Sequence, residues 1–112
     1  WDAVFNTGQA AAVVAMLTSG KYDRLADAMR DRLHQPYRAH LVPGMELLIQ
    51  AAIDANARGA ALSGSGPTVV ALAEIDDCEA VREAMMQAAV GTPANWRSMV
   101  LPLDSDGVRI LP

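Results

Sequence analysis

Residues 59–72 read GAALSGSGPTVVAL, and this stretch decides the fold of the chain. A short apolar run precedes Ser-Gly-Ser-Gly-Pro, and a run rich in β-branched residues follows it. Short apolar runs that are bounded by Gly and Pro are typical of buried strands. Because the connection between the two runs is short, we expect two strands that pair antiparallel.

The loop between these strands has residues suited to close approach by a ligand. Gly64 and Gly66 fit places where φ is positive or where another group must come near the backbone. Successive amides in such a loop can form an anion-binding concavity, and Ser63 and Ser65 add hydroxyls. A purely structural turn stays the alternative, because Gly-x-Gly alone is a weak signal. No lysine follows at the spacing of a Walker phosphate loop.

Composition excludes several classes of protein. The chain has 112 residues, of which 52% are hydrophobic, and this fits one globular domain. The net charge is −4 and no basic block occurs, so the electrostatic signature of a nucleic-acid-binding protein is absent. Cys78 is the one cysteine, which excludes an internal disulfide. No apolar run reaches the roughly 20 residues needed to span a bilayer. We therefore expect a cytoplasmic domain that binds neither nucleic acid nor membrane.

Four helices are predicted: residues 2–19 from a capping Asp2 and the terminating Gly20, and residues 22–35, 43–57 and 76–90 from hydrophobic periodicity. Pro36 disfavours the helical conformation at Gln35, so the second helix is predicted to end there. The segment of residues 10–17 is apolar nearly all round, which predicts burial of the first helix against more than one neighbour.

The C-terminal part of the sequence predicts two more strands. Apolar residues alternate in the segment Trp96–Leu103, and residues 108–111 form a short apolar run after a turn cluster at residues 104–107. Pro102 argues that the third strand is an edge strand or ends there. The predicted fold class is α+β, a two-layer sandwich in which helices pack on an antiparallel sheet.

A second stretch of interest is DRLHQPYR, residues 31–38. Pro36 stiffens the backbone just before Arg38, whose planar guanidinium matches a carboxylate or a phosphate bidentately. His34 is a candidate for positioning an anion or for pairing with Asp31, and Asn6 is a polar interruption at the start of the first helix. The alternative is that these are ordinary surface or capping residues.

Three stretches together resemble the homoserine kinases of the GHMP kinase superfamily. They are Val4-Phe5-Asn6 before an Ala-rich helix, residues 31–38, and residues 59–72, in matching order and spacing across essentially all of residues 1–112. The resemblance implies the C-terminal domain of such a kinase, with a ferredoxin-like plait. It also implies phosphoryl transfer from ATP to the hydroxyl of L-homoserine, in threonine biosynthesis.

The resemblance assigns roles by residue. Arg38 would bind the carboxylate of the amino acid, and Gly64, Ser65 and Gly66 would form the loop on the substrate side. Asn6, His34 and Ser63 are the candidate supporting residues. No residue of this sequence is assigned as a catalytic group or metal ligand.

The family's nucleotide-phosphate loop, its acidic Mg²⁺ ligand and the first strand of the plait have no counterpart in this sequence. ATP and Mg²⁺ are therefore expected to bind mainly to an N-terminal portion, and the chain, which begins at Trp1, is expected to be a piece of a longer kinase. By itself it is expected to be inactive. A homodimer is left open. Two other interpretations also stay open: a GHMP kinase of another specificity, and a non-catalytic α+β module for small-molecule binding or oligomerisation.

Overall fold

A computed structural model describes residues 1–110. The elements in chain order are α1 (Asp2–Ser19), α2 (Leu25–Ala28), α3 (Gln35–Arg38), α4 (Met45–Asp54), β1 (Gly59–Leu62), β2 (Val69–Leu72) and α5 (Cys78–Ala89). A 3₁₀ turn, Ala39–Leu41, joins α3 to α4. None of the helices in residues 1–110 combines the length and the apolar character needed to cross a membrane.

The two strands form the hairpin that the sequence predicts. β1 and β2 pair antiparallel, with Gly59 opposite Leu72 and Leu62 opposite Val69. Within the described residues the sheet has these two strands. The α+β class with an antiparallel sheet is confirmed.

The helices on either side of the hairpin in sequence, α4 and α5, cover one face of the sheet. The main cluster of buried side chains consists of Ala52, Ala57, Ala60 and Val81, which come from α4, β1, α5 and the α4–β1 connection. Small side chains let these elements approach closely, and burial of apolar surface stabilises the contact. The two-layer arrangement is therefore also confirmed.

A second buried cluster lies at the loop end of β1. It consists of Val42, Met45 and Leu62, and the indole of Trp96 packs against it. This cluster fixes the position of the last residue of β1, from which the glycine-containing loop begins.

The prediction of a second helix at residues 22–35 is wrong for most of that range. Regular helix covers Leu25–Ala28, and the next helix begins only at Gln35. The backbone amides after Asp31 donate to its carboxylate instead of continuing a helix, as is typical of Asp near turns. The prediction that Pro36 ends a helix is wrong as well. Pro36 lies in the first turn of α3, where an N–H is not required.

The predicted burial of α1 against several neighbours is also wrong. No residue of α1 is buried, and the helix packs mainly against α2. Val4 and Val14 are 66% and 62% exposed. Apolar periodicity indicates which surfaces favour burial, but a helix is buried only where neighbouring elements reach it.

The two predicted C-terminal strands are absent from the described residues. The segment 96–110 has no regular secondary structure, and Leu111, the end of the predicted fourth strand, lies outside the described residues. Leu103 and Val108 are 85% and 99% exposed. A strand requires a neighbour to complete its hydrogen-bond ladder, and alternating side chains do not provide one.

Candidate functional site

The loop between β1 and β2 is a tight turn built around glycines. Across the sheet, the Ser63 N–H donates to the Thr68 carbonyl at 2.8 Å, and the Gly66 N–H donates back to the Ser63 carbonyl at 3.0 Å. Gly64 and Gly66 have φ of +56° and +81°. L-residues rarely adopt these values, so the sequence-based expectation for both glycines is confirmed.

The two glycines differ in their surroundings. A Cβ added to Gly66 would lie 2.9 Å from Cδ1 of Leu62, whereas a Cβ added to Gly64 would have no heavy atom within 4 Å. Gly66 is therefore required both by its conformation and by the buried side chain beneath it. Gly64 is exposed and leaves open space at the top of the loop.

Arg38 lies against this loop. It is the last residue of α3, and its Nη2 donates to the carbonyl oxygen of Ser65 at 2.8 Å. Arg38 and the loop therefore lie on the same side of the sheet. The contact joins two segments that are 27 residues apart in the chain.

The guanidinium of Arg38 is only partly satisfied. Its Nε is buried and has no hydrogen-bond partner within residues 1–110, and no carboxylate of that part of the chain pairs with it. A positive charge next to an exposed loop and without an acidic partner is suited to an anionic ligand. Of the two terminal nitrogens, Nη2 already donates to the Ser65 carbonyl, and Nη1 makes no hydrogen bond within residues 1–110.

Asp31 organises the backbone that leads into α3. Its carboxylate accepts hydrogen bonds from the amides of Leu33 at 2.8 Å and His34 at 2.9 Å, and also from that of Gln35. Partial burial raises the pKa of Asp31, but the hydrogen bonds from Asn6 and from these amides outweigh it and lower the pKa from 3.8 to about 2. Asp31 is therefore ionised at neutral pH and holds the turn before α3.

Asn6 connects α1 to the same turn. Its Nδ2 donates to Asp31, and its Oδ1 accepts the Arg32 amide at 3.0 Å. The Arg32 guanidinium also lies 3.9 Å from the centroid of the Phe5 ring, within the range of a cation–π contact. Asn6 thus uses both ends of its side-chain amide to support residues 31–32, and its contacts are with this turn rather than with the glycine loop.

The other two candidate supporting residues contact their neighbours through the backbone. His34 precedes α3, and its carbonyl accepts the amides of Tyr37 and Arg38 at 3.1 Å each. The expected pairing of His34 with Asp31 occurs through the backbone amide of His34 rather than through the imidazole. Ser63 is exposed and forms the turn described above through its N–H and carbonyl groups.

Gln35 also supports the candidate site, a role that was not predicted from the sequence. Its Oε1 accepts the backbone N–H of Leu62 at 2.9 Å, which ties α3 to the end of β1. No periodicity identifies such a residue, because the contact depends on how two distant segments pack. The one available signal was a polar residue next to Pro36 in a stretch already singled out for Arg38.

Metal-binding geometry is absent from the part of the chain that the structure describes. No group of three or more His, Cys, Asp or Glu side chains lies close enough together to hold a metal ion there. The candidate site therefore consists of the Arg38 guanidinium and the glycine loop, and hydrogen bonds fix the separation between the two.

Comparison with known proteins decides the family. The family described as "GHMP kinases C terminal" matches residues 9–91. The chain belongs to this family. A homoserine kinase of Synechococcus is 42% identical over 109 residues, which are 97% of this chain and 36% of that protein. One from Microchaete diplosiphon is 44% identical over 112 residues, which are 98% of this chain and 36% of the relative.

A solved structure supports the same assignment of this GHMP kinase C-terminal domain. The crystal structure of homoserine kinase from Cytophaga hutchinsonii has a TM-score of 0.74 and 30% identity, and it covers 81% of this chain and 30% of that protein. The two curated relatives above are each covered to 36% of their length, so the chain spans about a third of them.

Proposed function

We propose that this chain is the C-terminal part of a cytoplasmic homoserine kinase, which transfers the terminal phosphoryl group of ATP to the hydroxyl of L-homoserine in threonine biosynthesis. The observation that carries the proposal is the contact between Arg38 and the glycine loop. Support also comes from relatives of about 40% identity that are named homoserine kinase. Under this proposal, residues 1–112 are one domain of a longer kinase.

Arg38 binds the carboxylate of homoserine in this proposal. Because one N–H of Nη2 is used by the Ser65 carbonyl, Nη1 and the second N–H of Nη2 form the end-on pair that matches the two oxygens of a carboxylate. The Ser65 carbonyl already orients the fork, so little side-chain freedom is lost on binding.

The loop at Gly64, Ser65 and Gly66 forms the wall of the substrate site in this proposal. The open space above Gly64 lets a small ligand approach the backbone closely. Ser63 and His34 are the supporting residues of the site in this proposal. Asn6 supports it from a distance, through Asp31 and the turn before α3.

ATP and Mg²⁺ are assigned mainly to the preceding portion of the kinase, because residues 1–110 have no acidic cluster for the metal. ATP supplies the phosphoryl group, and Mg²⁺ offsets the charge of its phosphates when bound. The contribution of this chain is to hold the acceptor. Orientation of the acceptor is a large part of the catalysis of phosphoryl transfer.

A substrate panel tests the proposal on the intact protein that contains this chain. Phosphoryl transfer from MgATP is measured with L-homoserine, 3-aminopropan-1-ol, mevalonate and galactose. 3-Aminopropan-1-ol is homoserine without its carboxylate, so a strong preference for homoserine is expected. A preference for mevalonate or galactose would assign another GHMP specificity, and activity on none of the four would favour the non-catalytic interpretation.

Variants at Arg38 test the assigned role. Loss of one partner of a desolvated charge pair costs ~2–5 kcal/mol, so Arg38→Ala should lower kcat/KM for homoserine roughly 30-fold or more. Arg38→Lys should recover only part of this, because an ammonium keeps the charge but not the fork. The KM for ATP and the activity on 3-aminopropan-1-ol should change little.

Arg30→Ala is the matched control, since Arg30 is an exposed arginine of the same region of the chain. It should behave as the unmodified protein does. If Arg38→Ala lowered the activity on homoserine and on 3-aminopropan-1-ol equally, Arg38 would not bind the carboxylate.

A further inference from the structure

Gln35 connects the helix that carries Arg38 to the strand that leads into the glycine loop. It is the first residue of α3, and its Oε1 accepts the Leu62 N–H at 2.9 Å. Leu62 is the last residue of β1 and is 8% exposed. The contact is therefore partly buried and lies directly beside the start of the loop.

The Leu62 amide needs this acceptor. The next residue, Ser63, donates its N–H across the sheet to Thr68. Backbone groups alternate along an antiparallel strand between facing the partner and facing away, so the N–H of Leu62 points away from β2. A buried N–H without an acceptor is costly. The side-chain oxygen of Gln35 thus takes the place that a neighbouring strand would fill.

Two contacts hold α3 to the loop at separate points. Gln35 bonds to Leu62 just before the loop, and Arg38, one helical turn later, bonds to Ser65 within it. Asp31 fixes the start of α3 from the other side. The separation between the guanidinium and the loop therefore depends on the position of a four-residue helix that is too short to be stable alone.

We propose that Gln35 is a positioning residue for the substrate carboxylate, acting through Arg38. The inference rests on the proposed function, since the carboxylate is that of homoserine. Without the Leu62 contact, α3 loses its attachment to β1, and the Arg38 fork no longer has a fixed distance from Gly64 and Ser65. Binding of the carboxylate weakens, while the nucleotide is not affected.

The test uses Gln35→Met in the intact protein, because methionine has a similar length but provides no strong acceptor. We expect the KM for homoserine to rise about tenfold, the change that corresponds to one hydrogen bond. The kcat and the KM for ATP should stay within about twofold of the unmodified protein. Gln35→Asn, one methylene shorter, should also raise the homoserine KM, and it keeps the test open if the methionine variant fails to fold.

Two controls separate positioning from general stability. Activity on 3-aminopropan-1-ol should not change in Gln35→Met, since that substrate has no carboxylate. In an Arg38→Ala background, Gln35→Met should add little further loss, because residues that act through one another are not additive. Gln50→Met, at an exposed glutamine of α4, is the matched substitution and should have no effect.

Amide hydrogen exchange gives a readout that does not depend on substrate. In Gln35→Met the Leu62 amide should exchange at least tenfold faster, while the amide of Val81 in α5 stays unchanged. If the unmodified protein does not phosphorylate homoserine, the proposed function falls, and exchange at Leu62 still decides whether Gln35 holds α3. An unchanged homoserine KM, or equal losses on both substrates with additive effects of Gln35 and Arg38, would overturn the proposal.

Discussion

Replacement of Gly66 by alanine tests how the loop is built. Gly66 has φ of +81°, and an added Cβ would lie 2.9 Å from Cδ1 of Leu62. Alanine in this conformation costs about 1 kcal/mol or more. Leu62 is 8% exposed and packs with Val42 and Met45, so relief of the close contact must disturb a packed cluster, at a further ~1–2 kcal/mol. We expect Gly66→Ala to lower the free energy of unfolding by about 2–3 kcal/mol.

Gly64→Ala is the matched control. Gly64 also has a positive φ, +56°, but a Cβ there would have no heavy atom within 4 Å. Only the conformational cost applies, so we expect a loss of about 1 kcal/mol. The difference between the two variants isolates the contact with Leu62. In a Leu62→Ala background that contact is absent, and the cost of Gly66→Ala should fall to the level of Gly64→Ala.

Urea unfolding followed by tryptophan fluorescence is the assay. Trp96 packs against the cluster that contains Leu62, whereas Trp1 is fully exposed, so the signal reports mainly on this end of β1. Midpoints and slopes for the variants give the free energies. A cost for Gly66→Ala no larger than that for Gly64→Ala, or a cost unchanged by Leu62→Ala, would refute the reasoning.

Three further outcomes are expected. The 112-residue chain alone should show no micromolar binding of MgATP in calorimetry, because its described residues have no metal-binding cluster; saturable micromolar binding would mean that the nucleotide site is misassigned. The pKa of Asp31 is lowered from 3.8 to about 2. Its ionised carboxylate therefore stabilises the folded state above pH ~4, and this stabilisation is lost as pH falls toward 2. Asp31→Asn should therefore reduce stability at pH 7 by roughly 1–2 kcal/mol and flatten the acid limb of a pH titration of unfolding; an unchanged acid limb would contradict this. Gly44→Ala should destabilise the start of α4, since Gly44 has φ of +90° and an added Cβ would lie 2.7 Å from Cγ2 of Thr92; thermal unfolding should show a lower midpoint, which Thr92→Ser partly restores.

Local sequence patterns predicted the features that depend on local chemistry. The glycines of residues 59–72 indicated a hairpin and positive φ values, and both occur. The apolar faces of α4 and α5 predicted two helices that cover the sheet. Arg38, which the sequence singled out for its guanidinium, lies against the loop.

Features that depend on distant neighbours were predicted less well. The periodicity of residues 22–33 predicts a long helix, but α2 ends at Ala28, and the amides after Asp31 donate to its carboxylate instead of to helical carbonyls. The alternation in residues 96–103 predicts a strand, but pairing needs a partner that alternation does not specify. The role of Gln35 depends on a strand end 27 residues away and has no local signature.

The contact between Gln35 and Leu62 also bears on the edges of the hairpin. An unpaired strand edge is a template for addition of further strands, including aggregation between chains. On the β1 edge, the outward N–H of Leu62 is occupied by the glutamine side chain. On the β2 edge, the outward amides and carbonyls of Val69 and Ala71 form no backbone pairs among residues 1–110. The β2 edge therefore offers free backbone groups to a further strand, and the loss of Gln35 would add the Leu62 N–H to the groups left free on the β1 edge.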